Sequence, residues 1–167
     1  MILYLSESTA GTYAAIAVFV IATMTDQLDG HLARKYNQIT TFGKLMDPLA
    51  DKILIMSALI SFVEKDIPYI TAGVVMIILA REFIVTGIRL IAVGENTVIA
   101  ASMWGKSKTV SQFVLVMGVM VFDIITSHFP AAEPVCNVLI LIMVIVAVAL
   151  TIYSGLDYII KNKRFIY

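Results

Sequence analysis

The stretch TDQLDGHLARKYNQITTFGKLMDPLADK, residues 25–52, sets four aspartates and four basic residues between two long apolar runs. The aspartates are Asp26, Asp29, Asp47 and Asp51. In a helix, residues three or four positions apart share a face. The first two aspartates would then share a face of one helix, and the last two a face of the next. The pattern predicts two adjacent helices that bring four carboxylates together at the edge of an apolar bundle.

The composition is that of an integral membrane protein. Hydrophobic residues make up 60% of the 167 residues and charged residues 14%, whereas soluble domains have about half and a quarter. The length leaves room for about five spans of roughly 20 residues, and no polar stretch is long enough for another domain. We therefore expect an all-α, polytopic transmembrane helix bundle in which residues 1–167 form a single domain.

The apolar runs predict where the spans lie: about residues 11–33, 48–62, 68–94, 99–125 and 135–160. The second span is short unless it begins earlier, near Gly43. As one helix, the third would be about 40 Å long at 1.5 Å per residue, longer than the ~30 Å hydrocarbon core. Its end, which carries Arg81 and Arg89, should therefore emerge into water.

The basic residues predict the orientation. Eleven of the twelve Lys and Arg fall on one side of the spans, and Lys65 alone falls on the other. The side rich in Lys and Arg is normally cytoplasmic, so we expect a multi-pass plasma-membrane protein whose aspartates and C-terminus face the cytoplasm. Trp104, Tyr153 and Tyr158 are expected at the membrane interface. The net charge of zero gives no reason to expect a nucleic acid partner.

Four carboxylates in one cleft repel one another unless a cation lies between them. Mg²⁺ prefers oxygen ligands and often bridges carboxylates to phosphates, and the sequence has no Cys or His cluster suited to zinc. Such a site suits metal-assisted phosphoryl transfer, in which one carboxylate takes a proton from the attacking hydroxyl. The alternative is ordinary loop charge. It does not explain four aspartates at helical spacing, since carboxylates at membrane depth are costly and usually functional.

The stretch reads D-x2-D-G-x2-A-R-x8-G-x3-D-x3-D, and this pattern resembles the signature of the CDP-alcohol phosphotransferase family at every fixed position. The resemblance implies two divalent metal ions, Mg²⁺ or Mn²⁺, held by Asp26, Asp29, Asp47 and Asp51. It also implies that Asp51 is the general base. The implied contacts with the CDP group are Asp29, Gly30, Ala33, Arg34 and Gly43.

The resemblance extends beyond the signature to GKLMDPLADKILIMSALI, AREFIVTGIRL and VIAASMWGKSKTVSQ. These segments are similar to the branch of the family that transfers a phosphatidyl group from CDP-diacylglycerol to glycerol 3-phosphate. The similarity runs from Ile21 to about Gln112, and in the last span only hydropathy matches. The implied partners are CDP-diacylglycerol, glycerol 3-phosphate and the lipid bilayer. Inositol phosphate stays open as an alternative acceptor, and a homodimer stays open as the assembly.

The phosphate of glycerol 3-phosphate is a dianion that needs cations. The candidates lie at the ends of the third and fourth spans: Arg81, Arg89, Lys106 and Lys108. Arginine can hold a phosphate through two parallel hydrogen bonds. Arg81 is favoured because it directly follows an apolar run, and Glu82 is expected to orient Arg89. The alternative is that these residues only anchor the helices at the membrane surface.

Two further expectations concern the family and its alternative. Members of the family generally carry another span before the signature helix, and residues 1–10 are too short for one, so we expect either that the sequence is part of a longer chain or that the protein lacks that helix. Outside the enzyme class, the aspartates could serve a divalent-cation transporter. That hypothesis does not explain the spacing of Gly30, Arg34 and Gly43, and the outer halves of the spans are almost purely apolar.

Overall fold

The computed structural model describes residues 2–5, 9–35, 41–95, 97, 99 and 102–165. Within these ranges, side chains are described for residues 4–5, 9–25 and from Lys52 onward. This part of the chain is helical and contains no strand. Its helices are α1 (Ile2–Leu5), α2 (Thr9–Lys35), α3 (Thr41–Glu64), α4 (Ala72–Gly94), α5 (Met103–His128) and α6 (Glu133–Lys161), with two 3-10 turns at Pro130–Ala132 and Lys163–Phe165. The expectation of an all-α fold is confirmed.

Two predicted helix starts need revision. Helix α3 begins at Thr41, seven residues before the predicted residue 48, so one helix runs through Gly43 and the aspartates that follow it. Helix α4 begins later than predicted because the chain turns first. Asp66 and Tyr69 have positive φ angles of 52° and 68°, which an α-helix does not contain. The Thr71 hydroxyl then caps α4 by accepting the Val74 N–H at 3.4 Å.

The exterior of the bundle is suited to lipid. Helix α5 and the stretch from Pro130 to Lys161, which contains α6, are each long and apolar enough to cross a membrane. A shorter apolar segment, Thr9–Thr25, lies within α2. Large apolar side chains stay exposed along α6, among them Val135, Val138, Ile142, Ile145, Leu156 and Ile160. A soluble monomer rarely exposes so continuous an apolar surface, and the fold is an all-α membrane helix bundle.

Contacts between side chains define two opposite regions of the bundle. Thr12, near the start of α2, contacts Asp123, near the end of α5. At the opposite end, Glu82 of α4 contacts Lys108, near the start of α5. We call these the distal end and the basic end. Helix α2 starts at the distal end and has 27 residues. At 1.5 Å per residue it extends about 40 Å, so its last residues lie toward the basic end.

Helix α5 is the centre of the bundle, since it contacts α2, α3 and α6. Its buried residues, such as Leu115 and Met120, join one apolar core with Phe19 of α2 and Leu59 of α3. The polar side chain of Gln112 is also buried there. Its amide donates to the Thr151 hydroxyl of α6 at 3.1 Å, so the buried amide has the partner that it needs.

The distal end is held by one ion pair. Lys65 Nζ lies 3.1 Å from Asp123 Oδ2 and 4.1 Å above the centre of the Tyr4 ring. The Thr12 hydroxyl donates to the same carboxylate oxygen at 3.4 Å. The Tyr4 ring is fully buried and meets Phe62 edge-on. Burial, together with the negative charge of Asp123, raises the pKa of the Tyr4 hydroxyl. This cluster connects α1, α2, α3 and α5.

We expect Asp123→Asn to destabilise the bundle because Lys65 loses its counter-charge while both side chains stay about three-quarters buried. The loss should be about 1 kcal/mol, which lowers the thermal midpoint by roughly 2–4 °C in a chain of this size. Thermal unfolding in detergent measures it. Glu64→Gln is the control, because Glu64 is exposed near the same end. Equal midpoints for Asp123→Asn and the control would contradict the role of the ion pair.

Candidate active site

The signature lies on two helices that contact each other. Asp26 and Asp29 belong to α2, and Asp47 and Asp51 belong to α3. Both segments are helical, as the spacing of the aspartates predicts. The side chains of the signature lie outside the described residues, and their predicted roles stay predictions: Asp26, Asp29, Gly30, Ala33, Arg34, Gly43, Asp47 and Asp51.

A pocket of about 400 Å³ opens at the basic end between α3, α4 and α5. All four cations predicted to bind the acceptor phosphate line it: Arg81, Arg89, Lys106 and Lys108. They come from two helices and are up to 27 positions apart in the chain. The structure therefore brings together every member of this predicted set around one cavity.

Lys52 is a fifth cation of the pocket, and the sequence analysis did not assign it. It directly follows Asp51 on α3, so the proposed general base lies one residue, about 3.8 Å between Cα atoms, from the pocket lining. Its position one residue past the signature could have identified Lys52 as a pocket residue. Lys52 Nζ contacts Thr86 Oγ1 of α4, which ties the α3 backbone beside Asp51 to the pocket.

Arg81 is held between helices. Its Nη1 donates to Glu82 Oε1 at 3.1 Å, and its aliphatic stem packs against α6 at Gly155, where an added Cβ would lie 3.0 Å from Arg81 Cγ. The side chain is only 11% exposed. Its Nε is buried without a hydrogen-bond partner among the described residues. A buried guanidinium N–H normally has an acceptor, and this donor is suited to an oxygen of a bound anion.

Glu82 does not orient Arg89, and that expectation is wrong. The carboxylate contacts Arg81 and Lys108 instead. Seven residues of helix separate Glu82 from Arg89 by about 10 Å along the axis. Arg89 Nε donates to the Tyr158 hydroxyl of α6 at 3.2 Å. Tyr158 is only 3% exposed. The expectation that it lies at the membrane interface is therefore wrong.

The remaining two aromatic residues are exposed, as expected for an interface. Trp104 and Tyr153 are 43% and 51% exposed and meet edge to face with ring centres 4.6 Å apart. They lie on α5 and α6, on the outside of the bundle. Their amphipathic rings are suited to the boundary between lipid headgroups and acyl chains.

The charges of the pocket are unequal. Among the described residues, its lining contains five cations and one carboxylate, that of Glu82. Arg89 and Lys106 are exposed, whereas Lys108 is only 4% exposed. A partly enclosed cleft with cations both inside and at its mouth concentrates anions. The arrangement can bind a small, multiply charged anion beside the helix that carries Asp47 and Asp51.

Similar proteins from other organisms are described as phosphatidyltransferases or phosphatidylglycerophosphate synthases. A protein of Bacillus subtilis described as a CDP-diacylglycerol–glycerol-3-phosphate 3-phosphatidyltransferase is 41% identical over 153 residues, covering 89% of this chain and 73% of its own. A protein of Haemophilus influenzae with that description is 34% identical over 143 residues, covering 84% and 72%. A probable phosphatidylglycerophosphate synthase of Mycobacterium tuberculosis is 40% identical over 157 residues, covering 93% and 69%.

The match to the sequence model of a family covers a similar share of the chain. The sequence model of the CDP-alcohol phosphatidyltransferases covers residues 1–154, which include the signature, the pocket residues and most of α6. This agrees with the resemblance of the signature alone. The chain belongs to the CDP-alcohol phosphatidyltransferase family.

Proposed function

We propose that the chain transfers a phosphatidyl group from CDP-diacylglycerol to glycerol 3-phosphate, giving phosphatidylglycerophosphate and CMP. The observation that carries the proposal is the basic pocket beside α3, in which the buried Arg81 Nε has no acceptor among the described residues. The descriptions of the related proteins support the same donor and acceptor. An acceptor without a phosphate, such as a simple alcohol, would not need so many cations.

The acceptor phosphate fits the cations of the pocket. Arg81 offers an Nε–H that has no acceptor among the described residues, and Lys108 brings a positive charge to the interior. Arg89 and Lys106, both exposed, attract the anion and contact it from the rim. Hydrogen bonds to charged groups contribute about 1.5–3 kcal/mol each. Since the pocket borders the helix that carries Asp51, an acceptor held there by its phosphate would have its free hydroxyls near the proposed base.

The signature supplies the other half of the reaction. The CDP group would be held by Asp29, Gly30, Ala33, Arg34 and Gly43. Asp51 would take the proton of the attacking hydroxyl, whose oxygen forms a bond to the phosphorus that carries diacylglycerol. The bond from that phosphorus to CMP breaks, and CMP leaves with the electron pair.

The aspartates are suited to metal ions. The family generally uses divalent metals, and carboxylates are the hard oxygen ligands that Mg²⁺ and Mn²⁺ prefer. We propose that Asp26, Asp29, Asp47 and Asp51 hold two such ions. When bound, they would neutralise the negative charge that the phosphate oxygens carry.

The proposed reaction fits a membrane surface. Most Lys and Arg lie at one side of the predicted spans, which supports a multi-pass orientation with the basic end toward the cytoplasm. The acyl chains of CDP-diacylglycerol would then stay among the apolar helix surfaces. The water-soluble acceptor would enter the pocket from the cytoplasm.

An assay on the purified protein tests the activity. With CDP-diacylglycerol and Mg²⁺ or Mn²⁺, radiolabelled glycerol 3-phosphate should yield labelled phosphatidylglycerophosphate. Asp51→Asn should retain CDP-lipid binding but lose about 10²–10⁴-fold in turnover, as expected when a general base is removed.

Inositol phosphate and unphosphorylated glycerol serve as parallel acceptors in that assay. Labelled product from inositol phosphate instead of glycerol 3-phosphate would reassign the acceptor. Absence of any CDP-diacylglycerol-dependent product with either metal would refute the enzyme. Metal flux into proteoliposomes without lipid turnover would favour the transporter.

Arg81→Ala should raise the KM for glycerol 3-phosphate by about ten- to a hundredfold, the equivalent of one lost charge-assisted contact, and leave the KM for CDP-diacylglycerol nearly unchanged. Arg34→Ala should show the opposite bias, because Arg34 belongs to the CDP motif. Arg81→Lys should recover only part of the loss, since lysine cannot make two parallel bonds. Steady-state kinetics with each substrate varied in turn measures both constants. Equal effects of Arg81→Ala on the two constants would mean that Arg81 is structural.

Gly155→Ala should disturb Arg81 without removing it. The new Cβ would lie 3.0 Å from Arg81 Cγ, so the arginine stem must shift by a few tenths of an ångström. A χ angle displaced by ~30° from its rotamer costs about 0.5–1.5 kcal/mol. The KM for glycerol 3-phosphate should rise roughly two- to tenfold. Gly87→Ala is the matched control, because an added Cβ there meets nothing within 4 Å. A normal KM in Gly155→Ala would show that the contact between Arg81 and α6 does not affect the pocket.

A further inference from the structure

Glu82 is an acidic residue in a pocket whose other charged lining residues, in the part of the chain that the structure describes, are cations. Its side chain is 12% exposed, so solvent screens it little. A carboxylate in this position repels the anion that the cations attract. Its contacts with those cations explain why a carboxylate lies there.

The carboxylate contacts two cations through one oxygen. Glu82 Oε1 accepts from Arg81 Nη1 at 3.1 Å and from Lys108 Nζ. Lys108 comes from α5 and is only 4% exposed. An ammonium buried to this degree is costly unless a counter-charge accompanies it. Glu82 therefore allows Lys108 to stay charged inside the pocket and fixes its distance from Arg81.

The same turn of α4 also connects to α3. The Thr86 hydroxyl donates to the Glu82 carbonyl at 2.7 Å, and Lys52 Nζ contacts that hydroxyl. Lys52 directly follows Asp51. The turn of α4 that carries Glu82 thus contacts Lys108 of α5 on one side. On the other side it contacts Lys52, which follows the proposed general base in the chain.

We propose that Glu82 is a positioning residue for the phosphate-bearing acceptor. It holds Arg81 and Lys108 at a fixed spacing that fits a dianionic phosphate ester, and keeps that pair in register with the middle of α3, at Lys52. The inference rests on the proposed function, since it names what prepares the acceptor pocket. Glu82 itself acts through the two cations and does not contact the substrate.

The experiment compares Glu82→Gln and Glu82→Asp with the wild-type protein. Glu82→Gln removes the charge and keeps the shape, whereas Glu82→Asp keeps the charge and shortens the side chain by one methylene. We expect Glu82→Gln to raise the KM for glycerol 3-phosphate about tenfold or more, with the KM for CDP-diacylglycerol within about twofold and kcat less affected than KM. Glu82→Asp should recover part of the loss.

A binding measurement accompanies the kinetics. Saturating glycerol 3-phosphate should raise the thermal midpoint of the wild-type protein, because a ligand that binds only the folded state stabilises it. The shift should be lost or much smaller in Glu82→Gln. Glu95→Gln is the matched control, since Glu95 is an exposed acidic residue that caps the same helix and does not line the pocket. It should behave as wild type in both measurements.

Lys108→Met and the double variant Glu82→Gln/Lys108→Met keep the proposal testable if Glu82→Gln does not fold, because the double variant leaves no unpaired ammonium at this position. If Glu82 acts through Lys108, then Glu82→Gln should cost less affinity for the acceptor in the Lys108→Met background than in the wild type. When Glu82→Gln does not fold, the double variant should exceed Lys108→Met in KM by well under tenfold, because only the contact of Glu82 with Arg81 is then lost.

The outcomes separate the two proposals. A wild-type protein that makes no product from glycerol 3-phosphate refutes the proposed function. Normal wild-type turnover together with an unchanged KM in Glu82→Gln refutes the positioning role alone. Equal losses of affinity for both substrates in Glu82→Gln, or a double variant much weaker than Lys108→Met, would also overturn it, because either result indicates a general structural effect.

Discussion

The ion pair between Lys108 and Glu82 is the constraint on which the basic end depends. An ammonium that is almost fully enclosed by helices requires a carboxylate beside it, and α4 supplies that carboxylate next to Arg81. The pair fixes α4 against the start of α5 and sets two cations side by side. This placement puts Arg81 and Lys108 in the lining of the pocket, which also includes Lys52 of the signature helix.

The two ends of the bundle use charge differently. At the distal end, Lys65 and Asp123 neutralise each other between α3 and α5, and their contacts hold helices together. At the basic end, the described lining of the cavity holds five cations and one carboxylate, so positive charge remains for a ligand. A reaction between a lipid and a soluble anion needs this asymmetry, because only one face of the membrane has to attract the anion.

The sequence predicted the helices well, because long apolar runs and the distribution of Lys and Arg both follow from the membrane. It also named four of the five described cations that line the pocket and missed Lys52. It placed the start of α4 too early, since Tyr69, unlike Asp66, is not a residue type that favours positive φ. It also gave Glu82 the wrong partner, because helical spacing relates residues within α4 and cannot reveal Lys108 on another helix, 26 residues away. The ligand roles of the signature aspartates remain predictions.

The central position of α5 has a consequence for how the chain assembles during synthesis. Both ends of the bundle are closed by residues of this helix: Lys108 at the basic end and Asp123 at the distal end. The ribosome makes α2, α3 and α4 before it makes these partners on α5. The earlier helices can be stable in the membrane by themselves, because each satisfies its own backbone hydrogen bonds. The pocket is therefore completed only late in translation. A ribosome that stalls before α5 leaves Glu82 in the membrane without the lysine that it neutralises.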